Sequence, residues 1–115
     1  MRIDIEKVGE IGVVTLQAEH LDASAADEFK RTMQPILDAN HRLVLDMSPL
    51  QFVDSAGLGE IVGTFATVRR HGGTLKLLGL TSRIRDLLSI TKLLTVFETF
   101  DAEGEAVSSF TSVNA

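Results

Sequence analysis

The run Leu43-Val44-Leu45 constrains this chain most. Consecutive apolar residues, rather than alternating ones, suit a strand covered on both faces, as in a sheet that carries helices. Asp46 closes the run, and Ser48-Pro49 breaks it, because the residue before a proline avoids the α region. An amphipathic stretch from Leu58 to Val68 follows. Strand, loop and helix therefore meet at Asp54-Ser55-Ala56-Gly57-Leu58-Gly59. A hydroxyl at such a helix start lies beside unpaired N–H groups and the positive end of the helix dipole. Ser55 is accordingly the candidate switch, either as a phosphate acceptor or simply as the N-cap.

The flanking pattern repeats this architecture. Ile3 to Glu6 alternates as an edge strand, Gly9 to Gly12 reads as a hairpin turn, and Val14 to Gln17 as the returning strand. Asp22 or Ser24 would cap a first helix with Phe29, Met33, Ile36 and Leu37 on one face. Pro35 should kink that helix, since its ring clashes with the carbonyl of Arg31. Leu58, Ile61, Val62, Phe65 and Val68 mark the core face of a second helix, which Gly72-Gly73 ends. Leu75 to Leu78 is a further strand, Ser82 caps a third helix, and Val96-Phe97 is a last short strand. Asp101 would cap a final helix carrying Ala106, Val107 and Phe110. Strands alternating with helices predict an α/β fold with mixed strand directions, as one domain over 1–110 and a flexible tail at 111–115.

The 115-residue chain is long enough for a single core without staples. It has no cysteine, which removes disulfides, thiolate metal sites and thiol nucleophiles. The net charge of −5 and the absence of Trp and Tyr argue against nucleic acid as a partner. Met1 to Glu6 carries acids where a signal peptide needs an apolar core, and no apolar run approaches the roughly 20 residues of a membrane span. A cytoplasmic protein with no membrane partner is expected.

Enzymatic chemistry fits poorly. Val53 breaks the Gly-x-Ser-x-Gly elbow, and none of His20, His41 and His71 is placed to activate Ser55. Asp46 and Asp54 could bind Mg²⁺ at one rim, but further acidic help is missing. The alternative for Asp46 is a strand-end carboxylate that bonds the backbone of the following loop. Gly57-Leu58-Gly59 lacks the third glycine of a dinucleotide site, since position 62 is Val. Gly57 suits a tight turn into the helix. Gly59 and Gly63 serve either close packing on the sheet or a flat docking face. No cofactor or metal is expected.

The block from Leu43 through Phe52-Val53-Asp54-Ser55-Ala56-Gly57-Leu58-Gly59 resembles the signature of the anti-sigma factor antagonists, whose fold is the STAS domain. Leu21-Asp22 before the first helix and Gly72-Gly73 before an apolar strand are similar too. Two departures stand out: Ala18-Glu19-His20 precede Leu-Asp where a Gly is common, and Ala56 replaces a frequent Ser or Thr. The resemblance implies a four- to five-stranded mixed sheet with about four helices packed mainly on one face. It implies that Ser55 is phosphorylated by a serine-kinase anti-sigma factor of histidine-kinase-like ATPase fold. The unmodified form would bind that kinase, phosphorylation would release it, and a metal-dependent serine phosphatase would reset the switch. The partner surface would comprise Asp22, Asp46, Phe52, Asp54, Ser55, Ala56, Gly57, Leu58, Gly59 and Val62. A STAS module of a secretion or transport pathway, or one binding a small molecule or nucleotide, is the alternative. An Asp46/Asp54 phosphotransfer enzyme ranks third.

Overall fold

The computed structural model describes residues 1–111. Strands β1 (Arg2–Val8) and β2 (Ile11–Gln17) form an antiparallel hairpin, and Gly9 makes its two-residue turn at φ +63°. After the two-residue β3 (His20–Leu21) come α1 (Ala26–Ala39), β4 (Arg42–Asp46), β5 (Phe52–Val53) and α2 (Ser55–Arg70). The chain continues as β6 (Thr74–Leu78), α3 (Ser82–Ile90), β7 (Thr99–Phe100) and α4 (Glu103–Ser108). The main sheet has the order β1-β2-β4-β6-β7, parallel from β2 onward. The expected mixed α/β sheet is therefore present.

Strand alternation explains the unbroken apolar run. Leu43 and Leu45 point to the same side as Phe29 and Met33 of α1, Ile61 and Val68 of α2, and Ile84 and Leu88 of α3. Val44 points the other way, into a smaller cluster with Ile11, Val13, Leu78 and Ala106 of α4. Three helices thus cover one face and α4 the other, so β2 and β4 are buried on both sides. Each fully buried Leu removed from water contributes about 1.5–3 kcal/mol. Lys76 of β6 is only 5% exposed and holds α4 down. Its amine donates to Ser109 Oγ at 2.7 Å, pairs with Glu98 at 3.3 Å and lies 4.3 Å from the Phe110 ring centre.

Several local expectations change. α1 begins later than the Asp22/Ser24 pattern suggests, and its N-cap Ala25 has no capping side chain. Asp22 instead accepts from both the amide and the hydroxyl of Ser24, forming a turn ahead of the helix. The first helix itself is as expected, with Pro35 inside it, and α1 ends at Ala39. Thr81, not Ser82, caps α3, accepting from the Ile84 amide at 3.4 Å. Val96-Phe97 is not a strand: Phe97 is buried edge-on against Phe65, 4.9 Å between ring centres, and the strand forms at Thr99–Phe100. Asp101 does not cap α4, whose N-cap is Ala102; it pairs with Arg85 at 3.6 Å. The buried face of α2 is rotated to Gly57, Ile61, Thr64 and Val68, with Leu58, Val62 and Phe65 half-buried at its flank. Of the tail expected over 111–115, Thr111 bonds back to Ser108, and the remainder lies outside the described residues.

Candidate functional site

The Ser55 loop is built on a second, two-stranded sheet. β3 and β5 pair in parallel, His20 with Phe52 and Leu21 with Val53. This ties the segment after β2 to the segment after β4 and sets both against the start of α2. The Glu19 carbonyl accepts from the Gln51 and Phe52 amides, at 2.8 and 3.0 Å, extending the tie.

Asp54 locks the junction. As N-cap of α2 it accepts from the Gly57 amide through Oδ1 at 2.9 Å. Its other oxygen accepts from the Ala23 amide at 3.0 Å, so one carboxylate joins two loops. Ser55 is therefore not the cap. It is the first residue of the helix, exposed to solvent and unburdened by a structural role. The α2 first turn contains no acidic side chain beyond the capping Asp54. Gly57 lies directly on β3: a Cβ at this position would stand 1.9 Å from the Leu21 carbonyl oxygen.

Around Ser55 the surface is graded. Phe52 is 42% exposed and meets His20 edge-on, 6.0 Å between ring centres. Gly59 is exposed, Ala56, Leu58 and Val62 are half-buried, and Gly57 is buried. Gly59 and Gly63 have open space where a Cβ would stand, so the close-packing explanation fails for both. They border a groove of about 360 Å³ between α1 and α2, with Lys30 and Gln34 opposite.

The two aspartates do separate jobs. Asp46 accepts from the amide of Ser48 at 3.0 Å, from the Ser48 hydroxyl, and from the Thr15 hydroxyl at 3.4 Å. None of these partners is shared with Asp54. Both carboxylates are occupied in fixing loops, an arrangement that suits positioning better than phosphotransfer. Each parallel crossover moves one place in the same direction across the sheet. The sheet therefore has no reversal of strand order, the feature that opens a nucleotide crevice in doubly wound folds.

Asp22 sits in the adjoining loop. The Ser24 hydroxyl holds its carboxyl below the ordinary carboxylate value, helped by the Ser24 and Ala25 amides and the His20 charge, with partial desolvation opposing. A depressed carboxyl orders the loop above its ordinary pKa, and that ordering is lost as pH falls through the lowered value. Carboxyl titration by NMR should place Asp22 below its ordinary value, and Ser24→Ala should return it upward. A normal Asp22 titration in the unaltered protein would contradict the Ser24 bond.

Sequence reasoning missed β3, β5 and the Ala23 amide. Two-residue strands carry no periodicity, and a backbone donor leaves no trace in residue type. The outward cue was Asp54 itself, an N-cap residue type directly ahead of Ser55.

The chain and its fold have known relatives. The STAS domain family matches residues 2–106. The anti-sigma-B factor antagonist of Bacillus subtilis is 30% identical over 99 residues, covering 85% of this chain and 91% of that protein. The protein of the same description from Listeria monocytogenes is 33% identical over 90 residues, covering 76% and 78%. The solved structure of the anti-sigma factor antagonist SpoIIAA in its unphosphorylated form shares the fold, with a TM-score of 0.72 at 22% identity over 97% of this chain and 100% of that one. With a matching family over most of its length, the same sheet and helices, and a serine presented at the start of α2, this chain belongs to the STAS domain family.

Proposed function

We propose that this protein is an anti-sigma factor antagonist in a partner-switching circuit, with Ser55 as its phosphorylated residue. The unmodified form binds a serine-kinase anti-sigma factor, phosphorylation releases it, and a metal-dependent serine phosphatase restores the binding form. The chain acts in the cytoplasm and carries no catalysis of its own. The observation that supports this reading is the division of labour at the helix start: Asp54 makes the structural bonds, leaving the Ser55 hydroxyl exposed. The regulatory relatives point the same way. Asp22, Phe52, Ala56, Leu58, Gly59 and Val62 form the docking surface around Ser55, while Asp46, Asp54 and Gly57 fix its shape.

The test is incubation with the cognate kinase and ATP, followed by mapping of the modified residue. Phosphate is expected on Ser55 alone and is lost in Ser55→Ala. The substitution should leave stability within about 0.5 kcal/mol, as for an exposed residue without partners, because Asp54 supplies the cap. Phosphate incorporation that persists in Ser55→Ala removes the site assignment.

A further inference from the structure

The main sheet leaves one long edge open. β1 pairs with β2 on one side only, whereas the opposite edge strand, β7, has two residues. In a two-residue hairpin the flanking pair, Val8 and Ile11, exchanges both hydrogen bonds. Alternation then turns the N–H and C=O groups of Arg2, Asp4, Glu6 and Val8 toward β2. Those of Ile3, Ile5 and Lys7 point outward. Such a row is a template for another strand. Ile5, 45% exposed on this edge, is one of four exposed large apolar side chains among the described residues.

We propose that β1 is a homodimer interface, pairing antiparallel with β1 of a second copy about a two-fold axis at Ile3. The charge pattern selects this register. A two-fold axis at Arg2, Asp4, Glu6 or Lys7 sets that charge against itself. An axis at Ile5 sets Asp4 opposite Glu6 of the second copy. Centred on Ile3, Arg2 faces Asp4 of the second copy, and Met1 faces Ile5. Like charges directly opposite one another destabilise strand pairs, and opposite charges stabilise them. Arg2 and Asp4 already lie together on one face, 3.3 Å apart, with side chains 76% and 47% exposed. The Gln17 amide steadies Asp4 at 3.1 Å. Pairing would add an alternating four-charge network on that face. On the other face it would cover Ile5 beside Ile3, which packs against the main core. A single pair of edge strands buries little surface, so the dimer is weak and reversible, at the small end of specific interfaces. It rests only on the sheet edge and not on the proposed role of Ser55.

The test is sedimentation equilibrium of the full chain over micromolar to millimolar concentrations. The unaltered protein should show a concentration-dependent monomer–dimer equilibrium. Arg2→Glu and Asp4→Arg should each weaken association at least tenfold, and the charge-exchanged double variant, Arg2→Asp with Asp4→Arg, should restore it. Ile5→Pro removes an outward donor and should abolish association. Unchanged circular dichroism in each variant shows that the fold persists. A protein that stays monomeric at millimolar concentration overturns the proposal. So does a dimer indifferent to Arg2→Glu, or a double variant no better than the singles.

Discussion

Phosphorylation of Ser55 is expected to lower affinity for the kinase partner by more than about a hundredfold, while the thermal midpoint hardly moves. The two results have different origins. Within the domain, phosphate adds roughly −1.5 to −2 charges at pH 7. The α2 N-terminus favours that charge by about 0.3–1 kcal/mol, and Asp54, the adjacent cap, opposes it. Ser55 is exposed, so the added group meets water and displaces no packed atoms. The Gly57 and Ala23 bonds to Asp54 do not involve the serine hydroxyl, so the junction survives modification.

Across an interface the balance changes. One unit charge facing a like charge at about 6 Å, at an effective dielectric near 20, costs roughly 3 kcal/mol. That already exceeds a hundredfold in affinity, before the desolvation of phosphate is counted. The measurement is paired: thermal unfolding and titration calorimetry on both forms of the protein. An unchanged affinity, or a melting temperature that collapses on phosphorylation, would overturn a local electrostatic switch. Ser55→Asp should reproduce the loss only in part, having less charge and a shorter reach.

The fold was legible where apolar periodicity ran long enough to read. Leu43 to Leu45 pointed to a doubly covered strand, and the structure supplies a helix layer on one side and α4 on the other. The interval from Leu58 to Val68 and the Gly72-Gly73 stop gave α2 and its end, Gly72 standing at φ +78°. Helix starts were less legible, because Ser, Thr and Asp side by side compete for the same amides. Thr81-Ser82 and Asp54-Ser55 both resolve in favour of the first residue, and Asp22-Ser24 resolves into a turn. At the site, sequence pointed to Ser55 but assigned it the capping role among its options. Only the fold shows that Asp54 bonds across to Ala23, since that contact spans the whole of α1. The glycines were least legible: sequence left Gly59 open between close packing and a docking face, yet it is Gly57 that lies against Leu21, while Gly59 faces open space.

That contrast gives the second large effect. Gly57→Ala is expected to destabilise the protein and impair the switch loop, whereas Gly59→Ala and Gly63→Ala should stabilise it. Helix propensity alone predicts a gain at all three positions, since Ala is favoured over Gly by about 0.8–1.0 kcal/mol in a helix interior. At Gly59 and Gly63 nothing opposes the gain, because nothing beyond the neighbouring residues and the helix's own local backbone lies within 4 Å of the added methyl. At Gly57 the methyl would stand 1.9 Å from the Leu21 oxygen, 2.8 Å from its carbonyl carbon and 3.1 Å from its Cγ. The obstacle is backbone, and it cannot swing away as a side-chain tip would. Leu21 is fully buried and paired with Val53, and its carbonyl also accepts from the Asp54 amide at 3.4 Å. Relief therefore requires α2 to move off β3, loosening the Ala23–Asp54 bond and displacing Ser55. Overpacking of this kind typically costs about 1–3 kcal/mol, and sometimes more, which outweighs the propensity gain. Urea unfolding of the three variants decides the matter, with kinase phosphorylation rates as the functional readout. Gly57→Ala should fall below the unaltered protein in stability and be phosphorylated more slowly, while the other two unfold at higher urea. A Gly57→Ala protein as stable as Gly59→Ala would mean that α2 does not rest on Leu21 as described.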